Sequence, residues 1–244
     1  MKKNIVIVGG SGLLGFSIAK FLFSSGYNVI IADKNSTKKI KNHNIHFIKC
    51  DVTKDDEIDF LISKLKKEFK KIDAVIYSAY PKSKKWGASF ESLKRRYLNE
   101  DLQAQLGSAI IFSQKIIKYF RKQNYGSLIH LASIQGITSP KFAHYKNTNM
   151  VSPIEYSAMK SGIISVTKYL AKFYKKENIR VNCISPGGIL DNQDKRFLKK
   201  YKAECGSKGM LDSEDINSTV EFLLSDGSNY ITGQNIIVDD GWSL

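Results

Sequence analysis

The 244-residue chain predicts an α/β fold: a doubly wound parallel sheet of about seven strands with helices on both faces, as one domain over residues 1–244. Three observations predict it. Short apolar, β-branched runs alternate with longer segments of helical period along the whole length, and such alternation forces right-handed crossovers and a parallel sheet. A glycine-rich turn separates the first strand from the first helix. No internal repeat, linker or low-complexity segment interrupts the pattern.

Residues 4–8 are short, apolar and β-branched, and read as the first strand. Gly9-Gly10-Ser11-Gly12-Leu13-Leu14-Gly15 follows, then a helical pattern over 16–25 that ends at Gly26. Glycines at 9, 12 and 15 let the backbone approach a pyrophosphate at a helix N-terminus, where free amides and the helix dipole favour an anion. The second strand is 28–32, with Asp33 at its end. A carboxylate there accepts hydrogen bonds from adenosine ribose hydroxyls and repels a 2′-phosphate, which favours NAD, while the neighbouring Lys34 leaves NADP open. Residues 45–48 form the third strand. Asp51 after it would contact the adenine edge, cap the helix at 54–69, or do both. Residues 72–76 make the fourth strand, followed by an irregular basic stretch at 80–87 and a long helix from about 90 to 122. The remaining strands are 127–131, 179–184 and 235–238. Every loop singled out follows a strand, so all gather at the carboxyl edge, where ligands bind in such sheets.

Composition narrows the function classes. Hydrophobic residues at 42% suit a globular protein, and no apolar run reaches membrane-spanning length. The basic start and apolar run at 1–8 end in glycines, too short for a signal core, so the cytoplasm is expected. Cys50, Cys183 and Cys205 lack the spacing of a zinc site or disulfide framework, and reduced thiols are expected, with Cys183 in a buried strand. His43, His46, His130 and His144 show no metal-ligand spacing, and no metal is expected; His130 reads as a satisfied core residue. The net charge of +15 raises nucleic-acid binding, but the charge is nearly all lysine, scattered over every segment. Specific readout favours arginine's planar fork, so a solvated lysine surface with no nucleic-acid partner is expected.

The chemistry centres on Glu155-Tyr156-Ser157-Ala158-Met159-Lys160. A helix places Tyr156 and Lys160 on one face, one turn apart. For a tyrosine to serve as a base at neutral pH, its pKa must fall from ~10 by about 3 units, roughly 4 kcal/mol, and a nearby ammonium supplies much of that.

With these residues in place, the chain resembles the short-chain dehydrogenase/reductase family over essentially its full length. The matching motifs are the glycine turn at 9–15, Asp51, Ser133 after the fifth strand, Tyr156-x-x-x-Lys160, Pro186-Gly187 after the sixth strand, and the closing segment 230–235. The resemblance implies a Rossmann fold and an NAD(P)-dependent oxidoreductase. Tyr156 would be the general acid/base, Lys160 would lower its pKa and hold the nicotinamide ribose, and Ser133 would steady the substrate oxygen. It also implies a dinucleotide lying along Gly9, Ser11, Gly12, Leu13, Leu14, Gly15, Asp33, Asp51, Val52, Ala79, Tyr156, Lys160, Pro186, Gly187 and Ile189. Homodimers or homotetramers are implied, formed through the long helix ending near Lys122 and the helix after Tyr156.

Three positions depart from the family. The glycine spacing is that of its extended branch, although the chain is short. Tyr77-Ser78-Ala79-Tyr80 stands where Asn-Asn-Ala-Gly is usual. Gln103 stands where an asparagine usually completes a proton-relay water site. These departures keep a second reading in view, a dinucleotide-binding regulatory or scaffold subunit with weak catalysis. A narrower resemblance lies in 140–142, 148–150, 185–193 and 238–241, which are similar to the oxidoreductases called flagellin modification protein A. That group is encoded with genes for nonulosonic-acid sugars such as legionaminic acid, so a sugar, sugar phosphate or nucleotide sugar is the implied substrate. The polar segment 137–153 would offer hydrogen-bond partners to a polyol, and Lys82, Lys84 and Lys85 would meet a phosphate or remain solvated.

Overall fold

The computed structural model describes residues 2–36 and 45–244; His43 lies outside them. Seven parallel strands form one sheet in the order β3-β2-β1-β4-β5-β6-β7. They are β1 (Asn4–Val8), β2 (Asn28–Asp33), β3 (His46–Lys49), β4 (Ala74–Tyr77), β5 (Gly126–Leu131), β6 (Ile179–Pro186) and β7 (Asn235–Val238). Among the described residues the helices are α1 (Leu13–Ser24), α2 (Asp55–Phe69), α3 (Arg95–Leu102), α4 (Ser108–Gln123), α5 (Ile154–Phe173), α6 (Lys195–Lys202) and α7 (Asn217–Leu224).

Strand alternation divides the core in two. Val6, Val8, Ile30 and Val75 face a layer with Leu61, Phe112 and Phe120 from α2 and α4. Ile5, Ile7, Val29 and Ile31 face the other layer, with Ile18 and Leu22 of α1 and Val220 and Leu223 of α7. A strand buried on both faces must be a continuous apolar run, and β1 reads Asn-Ile-Val-Ile-Val. The sheet therefore has the expected class, with helices on both faces. Its order reverses between β1 and β4, and the crevice beyond their carboxyl ends is the switch point at which such folds bind ligands.

Several boundaries differ from the sequence pattern. The helix begins at Leu13 rather than 16, because Gly12 is its extended N-cap and the glycines hide the helical period. The long helix begins at Arg95, after a single turn at Phe90–Ser92 and extended backbone at Leu93 and Lys94. It passes through a wide π-helical turn, Gln103–Gly107, before α4. Helices α6 and α7 are two turns long and were not expected, although each carries a short apolar stripe, Phe197 and Tyr201 in one and Val220, Leu223 and Leu224 in the other. In α6 only Phe197 and Tyr201 are buried, and its start is marked by Asp194, whose carboxylate accepts the Arg196 amide.

His130 is a satisfied core residue. It is fully buried, with Ser113 Oγ 2.9 Å from Nε2 and Thr167 Oγ1 2.9 Å from Nδ1. The three cysteines are free, with Cys50 and Cys183 buried. No helix among the described residues is long and apolar enough to cross a membrane.

Candidate active site

The carboxyl edge of the sheet opens into a cleft of about 900 Å³. One end is the turn between β1 and α1. Gly9 has φ +78°, and a Cβ there would lie 2.6 Å from the Ala79 backbone, so this glycine lets the loops after β1 and β4 touch. Gly15 does not line the cleft. A Cβ on it would lie 2.3 Å from the Gly9 carbonyl oxygen, so it seats α1 against the turn. Gly12 offers no side-chain cap and the first turn of α1 holds no acidic residue. The amides at this helix start face the cleft with the positive end of the dipole behind them.

Asp33 ends β2 inside the cleft. Its Oδ2 accepts the Ser11 amide at 3.0 Å and its Oδ1 the Asn35 amide at 3.2 Å, while Ser11 Oγ donates to the Asn35 carbonyl at 2.6 Å. The carboxylate thus ties the glycine turn to the end of β2. Asp51 and Val52 form the neighbouring wall. Asp51 does not cap α2, whose N-cap Lys54 makes no side-chain capping bond; the Asp51 Oδ1 accepts both Thr53 N and Thr53 Oγ1, which help hold its carboxyl below the ordinary value against burial. Pro186, Gly187 and Ile189 line the far side. Gly187 donates to the Val238 carbonyl, Gly188 donates to Tyr201 Oη, and Tyr201 stacks on Trp242 at 5.3 Å, so α6 and the C-terminal turn hold this loop.

At the other end stand Ser133, Tyr156 and Lys160. The extended backbone of Ser133 after β5 lets its Oγ accept the Gln135 amide at 3.2 Å. The neighbouring Ser133 side chain pulls the Tyr156 hydroxyl down. Burial outweighs that pull and, with Tyr145, leaves the phenol above its ordinary value. The depression expected from Lys160 is not what the geometry gives. The Lys160 ammonium donates to the Leu131 carbonyl at 2.9 Å and lies 5.6 Å from the centroid of the Tyr156 ring; burial brings it down to about 8. In this arrangement burial, not the lysine charge, governs the phenol.

Gln103 is not brought to these residues. It is exposed, outside the lining of the cleft, with its amide folded over Gly107. Two residues on, Gln105 is buried in the same π-helical turn and its Nε2 has no hydrogen-bond partner. The signal was available in the spacing of apolar residues along α4, which puts position 105 on the inward side with Ala109 and Phe112.

Cleft residues that the sequence pattern did not place there include Asn35, Cys50 and Leu131, while Asp191 and Gln193 reach it from segment 185–193. Lys82 lines the cleft, whereas Lys84 and Lys85 are exposed outside it. Segment 137–153 folds over a second hollow of about 780 Å³. This hollow is less polar than expected: Phe90, Ile137, Phe142, Met150 and Val151 share its wall with Gln135, Ser152 and Ser157. Gln135 Oε1 accepts Ser152 Oγ at 2.8 Å.

A parallel switch-point cleft, a glycine turn at a helix N-terminus and a Ser-Tyr-Lys group at the far end define a dinucleotide-dependent oxidoreductase. The chain belongs to the short-chain dehydrogenase/reductase family: the family model described as enoyl-(acyl carrier protein) reductase matches residues 11–243. Among its relatives, the post-translational flagellin modification protein A of Campylobacter coli is 40% identical, over 99% of this chain and 98% of that protein. Among solved structures, a short-chain dehydrogenase from Leptospira borgpetersenii with bound NAD+ superposes with a TM-score of 0.91 at 30% identity, over 100% of this chain and 94% of that one. A 4-hydroxyisoleucine dehydrogenase complexed with NADH gives a TM-score of 0.83 at 25% identity, over 99% and 98% of the two chains. The protein is therefore an oxidoreductase that uses a nicotinamide dinucleotide. The residues present fit such a group, with uncapped amides at one end of the cleft and a phenol and an amine at the other.

Proposed function

We propose that the enzyme moves a hydride between a nicotinamide dinucleotide, NAD in preference to NADP, and a hydroxyl or keto group of a sugar, sugar phosphate or nucleotide sugar. The product would feed a surface-glycan or flagellin-glycan pathway of nonulosonic-acid type. The single observation that carries the chemistry is the convergence of Ser133, Tyr156 and Lys160 on one end of the cleft, with the Lys160 ammonium held by the Leu131 carbonyl. The glycan assignment rests on the relationship to flagellin modification protein A.

The bound dinucleotide supplies the hydride. The chain's own residues do the rest. In the reducing direction Tyr156 Oη gives its proton to the carbonyl oxygen of the substrate as that oxygen gains charge; in oxidation the same oxygen takes the hydroxyl proton. Ser133 Oγ holds the substrate oxygen and stabilises that charge. Lys160, held by the Leu131 carbonyl, reaches the ribose. Backbone amides at Leu13 and Leu14 receive the pyrophosphate, while the Gly12 amide is engaged by the Gly9 carbonyl within the turn. Asp33, whose Oδ2 accepts from Ser11 and whose Oδ1 accepts from Asn35, has a second lone pair on each oxygen for the ribose hydroxyls and disfavours a 2′-phosphate.

The polar group at Gln135 and Ser152 and the Lys82 ammonium at the cleft mouth support a polyol bearing an anionic substituent. We read the remaining lysines as a solvated coat, the location as cytoplasmic, and the whole chain as one domain carrying both sites. Homodimer or homotetramer assembly through α4 and α5 is supported by the exposed Ile110, Tyr169 and Phe173 on those helices. The test is NAD- and NADP-dependent turnover over a panel of keto and hydroxy sugars, sugar phosphates and nucleotide sugars, with 3-oxoacyl thioesters and hydroxysteroids alongside. Sugar turnover with NAD preferred is expected. Turnover of only the acyl or steroid compounds would overturn the substrate assignment.

A further inference from the structure

The loop after β4 places an aromatic ring where the family resemblance leads one to expect glycine. Tyr80 stands edge-on to Tyr156, with ring centroids 5.7 Å apart at 78°. The Lys160 ammonium lies 5.4 Å from the Tyr80 centroid, as close as to Tyr156 itself. Trp86 closes the group, 5.5 Å from Tyr80 and 6.2 Å from Tyr156, edge-on to both.

The position of this ring is built into the fold. Ser83 donates its amide at 2.7 Å and its Oγ at 2.8 Å to the Asp101 carboxylate, which is 1% exposed. The Trp86 amide then turns back onto the Ser83 carbonyl. A basic loop with this anchor is not merely a solvated excursion.

Lys160 has one hydrogen bond, to Leu131, for a cation that burial disfavours. An aromatic face within ~6 Å attracts an ammonium through the ring quadrupole, most strongly where water is excluded. Here two faces do so. We propose that Tyr80 is a positioning residue: its ring, with that of Tyr156, holds the Lys160 ammonium charged and aimed along the cleft.

The groups around that ammonium are consistent with this role. The Leu131 carbonyl accepts from it, and His130, pushed down to about 4 by its own burial and by Lys160, stays neutral and adds no competing charge. Lys82 lies 4.7 Å from the Tyr80 centroid, so the ring serves two ammonium groups. The Tyr80 phenol is raised by burial, Tyr156, Asp101 and Glu155, so it remains protonated and does not replace Tyr156 as base.

The inference leans on the oxidoreductase reading only for its catalytic consequence, and its first test needs no substrate. In protein labelled with 13C at the lysine ε-carbon, with the Lys160 signal assigned by its loss in Lys160→Arg, the amine is titrated by NMR. Tyr80→Phe keeps the ring and should leave the midpoint within about 0.2 units; Tyr80→Leu should lower it by roughly 0.4 to 1.5 units. Fluorinated phenylalanines at position 80 hold the shape constant and weaken the quadrupole, and should lower it stepwise. In turnover, the alkaline limb of kcat should move to lower pH in Tyr80→Leu and not in Tyr80→Phe. An unshifted Lys160 midpoint in Tyr80→Leu and across the fluorinated series would overturn the proposal, whether or not a sugar substrate has been found.

Discussion

Two loops leave neighbouring strands at the carboxyl edge and touch, yet they are made in opposite ways. The turn after β1 is shaped by missing side chains. Gly9 and Gly15 each occupy a place where a Cβ would collide with backbone, at 2.6 and 2.3 Å. The loop after β4 is shaped by the side chains it has: Ser83 fastened to buried Asp101, and Tyr80 and Trp86 packed around Tyr156. The first offers bare amides to any dinucleotide. The second surrounds the reacting end with rings and a lysine particular to this chain. The comparison teaches that the general half of the site is backbone and the particular half is side chain. Substitutions should therefore separate dinucleotide binding from turnover.

The largest expected effect is that of Tyr156→Phe, which removes the proton donor while keeping the ring. Turnover should fall by about 10²–10⁴-fold, with NADH affinity by fluorescence titration nearly unchanged. Gly15→Ala comes next and should do the reverse. Overpacking against the Gly9 carbonyl costs about 1–3 kcal/mol, which weakens the dinucleotide on the order of tenfold to a hundredfold. If Gly15→Ala bound NADH normally, the turn would not be the dinucleotide's seat. Asp101→Ala frees the loop after β4 and leaves the Ser83 donors unpaired, at a cost of about 1–3 kcal/mol. The substrate KM should rise roughly tenfold on that scale while NADH affinity holds; equal loss in both would erase the distinction between the loops.

Asp33→Asn should act less strongly, shifting the ratio of NADP to NAD use upward by several-fold as charge repulsion is relieved. The smallest effect concerns the sheet beneath both loops. His130 is held neutral, its value lowered to about 4 by burial and by Lys160. A base depressed in the folded state contributes stability that is complete above its unfolded value near 6.5 and is lost as pH falls from there toward 4. Melting temperature should decline across that interval, and His130→Gln should flatten the decline.

Much of this was legible in the chain. Strand-turn-helix order with glycines at 9, 12 and 15 depends on local spacing, and the turn after β1 was visible for that reason. Ser133, Tyr156 and Lys160 were visible because a loop serine after a strand and an i, i+4 pair keep their spacing when folded. The loop after β4 was not, because its order comes from Asp101 on a later helix, and nothing near Ser83 announces that partner. Gln103 lies outside the cleft, with Gln105 turned inward instead, because the π-helical turn shifts the helical register where the count had to be made. Helices α6 and α7 escaped notice because each is only eight residues long, so its apolar stripe repeats over just two turns. The expected lowering of the Tyr156 phenol failed for a related reason: spacing placed the lysine nearby, but spacing says nothing of burial.

The most direct measurement is a crystal structure of the enzyme with NADH. The pyrophosphate should lie on the amides of Leu13 and Leu14, with the adenosine ribose at Asp33 and the nicotinamide beside Tyr156 and Lys160. A dinucleotide bound with its pyrophosphate away from that turn, or with the nicotinamide remote from the Tyr156 hydroxyl, would contradict it.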